Sequence, residues 1–308
     1  MNRTAQIILY ILTALIAFVF FVVLLFPLDS VIGYYLGGIE KATKGVYRVS
    51  VSEIDASLVF DTQFSNFRVY ENGVEIFSVP KLEIGFSLFS LLGETKSLSF
   101  EAYFKKGEID GRFSINNQGI NVVDISLDEV NIDDLSFFKY YLEKEKIPIQ
   151  LKGVLDGSFY VYIDNDPKAS EAEINLKILR AHTTPMPIKA LNQTIPKLNL
   201  SKGKKAVVFD CVLENGRIRL KKFIMPGPDL SMDLSGSARL NRRAAVNNLS
   251  FDGKFSLSDK ITAEIPMLGD MLAQHKNADG SFPLTIRGSG KKPKIKVGDF
   301  QISDFFSF

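Results

Sequence analysis

The sequence predicts a mainly β protein: an N-terminal transmembrane helix, then a large curved antiparallel β-sheet (groove, half-barrel or sandwich) with a few short helices. Three observations predict this class. Residues 7–28 are apolar and carry no charge. Apolar and polar residues alternate over most of the remaining chain, as on strands with one buried face. Asn-Gly and similar pairs separate several of these alternating runs, which is typical of hairpins.

The apolar segment 7–28 is expected to be a retained single-pass anchor. As a helix it would reach ~33 Å, enough for a hydrocarbon core of ~30 Å. It is longer than the apolar region of a cleaved signal, and no Ala-x-Ala site follows it. The short tail before it carries Arg3 and no acid, which favours a cytoplasmic N-terminus. We therefore expect residues 29–308 on the other side of the membrane.

Residues 30–44 are a candidate juxtamembrane helix, and the sequence favours a simple connector with interfacial tyrosines. A helix-packing face is the alternative, because three glycines interrupt this segment: Gly33, Gly37 and Gly38.

The first β-rich half begins at Val46. Asn72-Gly73 lies between two alternating runs and predicts a type I′ hairpin turn. Residues 98–105 and 108–115 are expected to pair around Lys106-Gly107. Between these hairpins, residues 87–93 are expected to form a short helix or turn that ends at Gly93.

Residues 133–146 have the strongest helical pattern after the anchor. Asn131 or Asp133 is expected to cap this helix, and Pro148 is expected to end it.

The segment 149–163 is the clearest strand. Its apolar residues fall on one face together with Gly153 and Gly157, which indicate bending or a bulge. A hairpin at Asp156-Gly157 is the competing interpretation.

Residues 183–196 contain three prolines and cannot form a central strand, so we interpret them as a hinge, with a short helix possible at 188–194. Asn215-Gly216 predicts another hairpin, and residues 263–276 are a helix candidate. Strands are expected at 282–287 and 294–297. The predicted division is residues 1–28 (tail and anchor), 29–45 (connector), 46–182 (first β-rich half), 183–196 (hinge) and 197–308 (second β-rich half).

An apolar sheet face must be covered. Two or three short helices are too few, so the sheet must curl on itself, pair with a second sheet, or line a groove that holds apolar molecules. A dry sandwich or closed barrel and a lipid-accepting groove therefore both stay open. The residues expected to line such a groove are Leu151, Leu155, Phe159, Val161, Phe251 and Phe255. A loose pattern, Gly-x-Phe/Ala-x-apolar, recurs at Gly111, Gly157, Gly236 and Gly253.

Composition argues against several function classes. The net charge of +2 gives no electrostatic case for nucleic acid. His182 and His275 have no metal-ligand spacing, and Cys211 has no histidine near it in the sequence. Phosphate-loop, nucleophile-elbow and dinucleotide motifs do not occur. We expect a protein that is not an enzyme and has no cofactor or metal. A cluster of lysines (Lys202, Lys204 and Lys205) is interpreted as a solvated loop.

The order of motifs resembles a known family. The anchor and first strands are followed by residues 80–93 (PKLEIGFSLFSLLG), a glycine-rich element at 107–113, and the ending at 279–295 that includes DGSFPLTIRG and KPKI. This order is similar to that of the type II secretion system protein N family (GspN), in particular its divergent branch. More distantly it is similar to AsmA-like envelope proteins.

The resemblance implies a single-pass protein of the bacterial inner membrane whose main domain is periplasmic. It implies a non-enzymatic assembly or scaffold role in type II secretion, a protein transport system, with other secretion proteins as partners. The AsmA-like similarity implies the alternative: lipid binding or phospholipid transfer in the cell envelope. The shared motifs are turns and strand ends, so they transfer no catalytic residues.

Overall fold

The computed structural model describes residues 28–56, 61–86, 95–116, 119–144, 150–164, 166, 168–188, 193–240, 246–290 and 292–301. The predicted anchor, residues 7–28, lies outside these ranges except for Leu28. Within them, no helix combines the length and apolar character needed to cross a bilayer. Contacts divide the chain into two compact units, Met1–Phe86 and Ser87–Phe308.

The first unit is a helix followed by a small antiparallel sheet. Its elements are α1 (Leu28–Ala42), β1 (Tyr47–Ser50), β2 (Glu53–Asp55), β3 (Thr62–Glu71) and β4 (Val74–Phe86). Strand β3 pairs with β1, β2 and β4. Helix α1 runs unbroken through its three glycines, which confirms the candidate helix at 30–44. Asn72 and Gly73 both have positive φ (51° and 82°), which confirms the predicted type I′ turn.

The second unit is a large antiparallel sheet. Its elements in chain order are β5 (Lys96–Tyr103), β6 (Glu108–Asn116), β7 (Gly119–Asn131), a 3-10 turn (Ile132–Asp134), α2 (Ser136–Lys144), β8 (Leu151–Tyr162), β9 (Glu171–Thr183), β10 (Met186–Ile188), β11 (Gln193–Ile195), β12 (Val207–Glu214), β13 (Arg217–Pro226), β14 (Leu230–Leu240), β15 (Val246–Leu257), α3 (Asp259–Glu264), α4 (Pro266–Ala273), β16 (Phe282–Ser289), β17 (Lys292–Val297) and β18 (Phe300–Gln301).

Apart from β10 and β11, each strand of this unit pairs with the next one along the chain, in the order β5-β6-β7-β8-β9-β12-β13-β14-β15-β16-β17-β18. Strands β10 and β11 pair only with each other. The hairpins predicted at Lys106-Gly107 and Asn215-Gly216 are confirmed, since Tyr103 pairs with Glu108 and Glu214 with Arg217. In an antiparallel meander, alternate connections lie at the same end of the sheet. The described helices of this unit all lie in connections at one such end, after β7 and after β15.

Strand β8 is continuous, so the alternative hairpin at Asp156-Gly157 is wrong. Asp156 pairs with Lys177 on β9, and Gly157 pairs with Leu127 on β7 and with Leu176 on β9. The irregular pairing lies in the neighbouring strands instead, where an extra residue bulges out of the ladder. Glu129 on β7 adopts positive φ (49°), and its backbone N–H donates to Asp156 Oδ1 at 2.8 Å. The bulge keeps the alternation of β8 intact while the ladder shifts by one residue.

The helix predicted at 133–146 is shorter and broken. A 3-10 turn covers Ile132–Asp134, Leu135 lies outside both helices, and α2 starts at Ser136. Leu135 is buried, so packing of this side chain overrides a continuous helical path. Asn131 precedes the turn but makes no side-chain cap to the backbone, which corrects the predicted role. Residues 145–149, with Pro148, lie outside the described ranges.

Two other helix predictions also change. Helix 263–276 is divided into α3 and α4 at Ile265, because Pro266 lacks an N–H and starts a new helix. Segment 183–196 holds strands β10 and β11; of the short helix expected at 188–194, the ends at 188 and 193–194 are strand, and residues 189–192 lie outside the described ranges. Strands β9 and β12 on either side of it pair directly, so this segment is an excursion from a continuous sheet. The short helix or turn predicted at 87–93 lies outside the described ranges.

Candidate apolar binding surface

One face of the second unit is formed by rows of apolar side chains and glycines that cross the strands. Residues directly opposite on neighbouring strands share a face, so the pairing register identifies each row. The first apolar row runs without a break from β5 to β17 through Phe100, Gly111, Ile125, Phe159, Ile174, Cys211, Leu220, Gly236, Phe251, Ile286 and Ile295.

A second row lies two residues from the first on each strand, or three on β13 because of the bulge between Leu220 and Phe223, and it has the same character. The second apolar row contains Ala102, Ile109, Leu127, Gly157, Leu176, Phe209, Phe223, Leu234, Gly253, Leu284 and Val297, and it ends on β18 at Phe300. We call these two rows together the apolar face. With strands ~4.8 Å apart, ten inter-strand steps give each row a length of about 48 Å.

The opposite face of the same strands is polar. The row displaced by one residue from the first apolar row consists of Ser99, Arg112, Asp124, Tyr160, Glu173, Val212, Arg219, Ser237, Ser250, Arg287 and Lys294. Val212 is its single aliphatic member. The bulges therefore preserve the separation of apolar and polar faces across eleven strands, although they shift the ladder at several points.

Glycines in the apolar rows accommodate rings from the neighbouring strand. A Cβ added at Gly111 would lie 2.7 Å from Phe100 Cε1, so this ring covers the glycine backbone. Phe100 also stacks on Phe113, with ring centroids 5.2 Å apart and planes 15° apart. The recurring Gly-x-Phe/Ala pattern thus has a structural meaning: Gly111 and Gly236 lie in the first row, and Gly157 and Gly253 lie in the second.

Helix α4 covers the apolar face over its C-terminal strands. Leu272 on α4 is only 2% exposed and joins a buried cluster with Cys211, Leu220, Leu234 and Leu284. A second buried cluster lies near the connection after β9, where Ile261 and Ile265 pack with Ala181, Leu198 and Val207. These two clusters are ordinary protein core.

Over β7, β8 and β9 the apolar face is only half-buried. Ile125, Phe159, Ile174 and Leu176 are all of intermediate exposure, whereas Leu272, Leu284 and Val297 are buried. Helix α2, in the connection after β7, has no buried residue. The same face therefore changes from closed core at one end to partly accessible surface in the middle.

The six predicted groove residues are distributed over this face. Phe159 and Phe251 belong to the first apolar row. Leu155 lies opposite Val130 and Ile178. Val161 lies opposite Val123 and Ala172. Leu151 packs against the cluster of Ile261 and Ile265, and Phe255 lies 5.2 Å from Phe282 (ring centroids), against the cluster under α4.

Sequence reasoning missed most of the face, in particular Ile174, Leu176, Phe209 and Phe223. Each lies on a strand with clear alternation, so the signal was present. The missing information was the pairing register, which places Ile174 opposite Phe159 and Leu176 opposite Phe209.

The titratable groups near this face do not form a reactive constellation in the described ranges. Burial raises the pKa of the Cys211 thiol, and the neighbouring Asp210 carboxylate raises it further. His182 lies with Nδ1 3.0 Å from the Arg180 carbonyl oxygen, and His275 stacks on Phe300. Among the described residues, no group of three His, Cys, Asp or Glu side chains is placed to hold a metal ion.

Within the described ranges, the arrangement offers a long apolar surface. Comparisons of the chain with models of protein families, with curated proteins and with solved structures find no match.

Proposed function

We propose that this chain is a non-enzymatic lipid-binding protein of a bacterial cell envelope, in which the apolar face is a groove for acyl chains. The observation that carries the proposal is the first apolar row, which continues over eleven strands without a polar residue. In this proposal the bulges and row glycines curve the strands around the groove.

The partial burial of this face supports a ligand. Soluble proteins rarely expose large contiguous apolar patches unless the patch binds something. Covering apolar surface yields about 25 cal/mol per Å², so the part of the row over β7, β8 and β9 that stays accessible gives a driving force for binding. An acyl chain has no hydrogen-bonding groups, and the first apolar row has no polar side chain that would need such a group from a ligand.

The dimensions also suit lipid chains. One leaflet of a bilayer has a hydrocarbon thickness of ~15 Å, half of the ~30 Å core. The part of the first apolar row that precedes the strands under α4, from β5 to β9, covers four inter-strand steps of ~4.8 Å, about 19 Å in all, and could therefore hold one chain. The proposed setting is the one that the sequence predicts: an inner-membrane anchor at 7–28 with the β units in the periplasm.

A scaffold role in type II secretion is the second candidate. It is supported by the resemblance, whose segments are strand and turn elements here: 80–86 lies in β4, and 284–289 pairs with 292–297 in the hairpin of β16 and β17. In this role the exposed polar face and the edges of the sheet would contact other secretion proteins.

Photo-crosslinking in native membranes tests the lipid proposal. The crosslinker p-benzoylphenylalanine replaces either Phe159 on the apolar face or Tyr160 on the polar face. These adjacent positions form a matched pair, because neighbouring residues of a strand point to opposite faces. We expect phospholipid adducts, identified by mass spectrometry, at position 159 and few or none at position 160.

Absence of lipid adducts at position 159, or equal yields at both positions, would overturn the proposal. A secretion protein captured at position 160, together with no lipid at 159, would favour the scaffold role.

A further inference from the structure

A pocket of about 440 Å³ lies on the second unit, beside the excursion between β9 and β12. The residues that matter for its chemistry are Arg180, His182, Asn199, Ser201, Lys202 and Gly203. Ala181 also lines it and belongs to the buried cluster of Ile261 and Ile265. The pocket is therefore anchored on rigid core, and its charged groups come from two segments joined by the pairing of His182 with Asn199.

Arg180 is placed there by an unusual backbone conformation. It is the bulged residue of β9 opposite Gly153, and its φ is +54°. A non-glycine residue in this region costs about 1 kcal/mol or more, and such residues concentrate at functional sites. The bulge directs the Arg180 side chain to the pocket while Ala181, the next residue, is buried.

The pocket wall is cationic. Arg180 and Lys202 are its basic residues, and His182 is also part of the lining. No acidic residue belongs to the lining. Within the described ranges, neither Arg180 nor Lys202 forms an ion pair. The Asp229 carboxylate accepts from the Asn199 backbone N–H at 2.8 Å and from Nδ2 at 2.6 Å, so it holds Asn199 in place.

The donor set matches a phosphate group. Arginine presents a planar fork of N–H donors that suits phosphate oxygens, and lysine adds a compact charge. Ser201 offers a hydroxyl, and Asn199 a second amide hydrogen. We infer that this pocket is a binding site for a phosphate group, either that of a lipid headgroup or free inorganic phosphate. The site stands independently of the proposed groove, because inorganic phosphate needs no apolar surface.

Calorimetric titration of the full chain in neutral detergent tests this inference. The probes are inorganic phosphate, dihexanoylphosphatidic acid and dihexanoylglycerol, which share either the phosphate or the acyl chains. We expect the two phosphate-bearing probes to bind. The variants Arg180→Gln and Lys202→Gln should each weaken their binding about tenfold, the effect of one charge-assisted hydrogen bond.

Lys204→Gln is the matched control, since Lys204 lies in the same turn as Lys202 and is exposed but does not line the pocket. This variant should bind phosphate as the unaltered chain does. All variants should keep the same unfolding temperature, because the three side chains are exposed.

If dihexanoylphosphatidic acid binds more tightly than inorganic phosphate, the phosphate group that the pocket binds is that of a lipid headgroup. Equal affinities identify free phosphate. The inference is overturned if neither phosphate probe binds, or if Lys204→Gln weakens binding as much as Lys202→Gln does, which would indicate only a diffuse positive field. Dihexanoylglycerol binding without phosphate binding would support the groove alone and would also overturn the phosphate site.

Discussion

Phe251 on β15 covers Gly236 on β14, its direct cross-strand partner, so closely that a Cβ at Gly236 would lie 2.8 Å from Phe251 Cδ1. The same Cβ would lie 2.2 Å from the Ser250 carbonyl oxygen. Gly236 has φ +150°, a conformation that favours glycine. The close approach of the two strands and the ring position thus both depend on this glycine.

Gly236→Ala should therefore destabilise the fold strongly, by about 3 kcal/mol, because neither backbone nor ring can move away cheaply. Denaturant unfolding of the full chain, followed by circular dichroism, measures this. Gly203→Ala is the control: it also has positive φ (58°), but its Cβ would meet nothing within 4 Å. We expect a loss of only about 1 kcal/mol there. Equal losses would show that the ring contact at Gly236 is unimportant.

The turn between β12 and β13 gives a prediction about local conformation. Asn215 (φ 51°) and Gly216 (φ 67°) form the turn. Asn215→Ala should lower the free energy of unfolding by about 1 kcal/mol, because alanine tolerates this region less well than asparagine. Asn215→Gly should change it by a few tenths at most. Thermal unfolding of the two variants side by side tests this, and an unaffected alanine variant would contradict the turn geometry.

The lowered pKa of the Asp279 carboxyl group makes part of the free energy of unfolding depend on pH. Hydrogen bonds from the Ser281 hydroxyl and backbone N–H, and from Lys254, lower its pKa from 3.8 to about 2. A carboxyl group whose pKa is lower in the folded state stabilises the fold at pH values above its unfolded-state pKa. This contribution is lost as the pH falls through the folded-state pKa of about 2. The stability difference between the unaltered chain and Asp279→Asn should be full at pH 5 and vanish near pH 2. Urea unfolding across this range measures it, and a difference that is constant with pH would disprove the link.

Cys211 reports on the cover formed by α4. It is buried in the cluster with Leu272, and its pKa is raised, so its thiolate fraction at pH 7 is small. Maleimide should modify it slowly in the folded chain. Leu272→Ala should accelerate the reaction, because it loosens the contact over Cys211. Ile261→Ala, in the other cluster, should do so less. Mass spectrometry of timed samples gives the modification rates. Equal rates for Leu272→Ala and Ile261→Ala would show that Leu272 does not protect Cys211.

Local sequence signals predicted much of the fold for a clear physical reason. Alternation identifies which side of a strand is apolar, and Asn-Gly pairs identify turns, because both depend only on neighbouring residues. The strands around Asn72-Gly73 and Asn215-Gly216 were predicted in this way. The failures occurred where packing competes with local preference. Burial of Leu135 breaks a predicted helix. The continuous strand predicted at 149–163 is confirmed, but the bulges lie on its neighbours, at Glu129 on β7 and Arg180 on β9, where local pattern gave no signal.

The sequence by itself determined that the chain after residue 45 is rich in antiparallel strands with one apolar side, and it singled out Phe159 and Phe251 for that side. Only the tertiary structure decided that these two residues, 92 positions apart in the printed sequence, lie in one row across the sheet. It also brought Arg180 and Lys202 to one pocket. The reason is that a periodic pattern fixes the face of each strand, whereas the neighbour opposite each residue depends on register, which bulges shift one residue at a time.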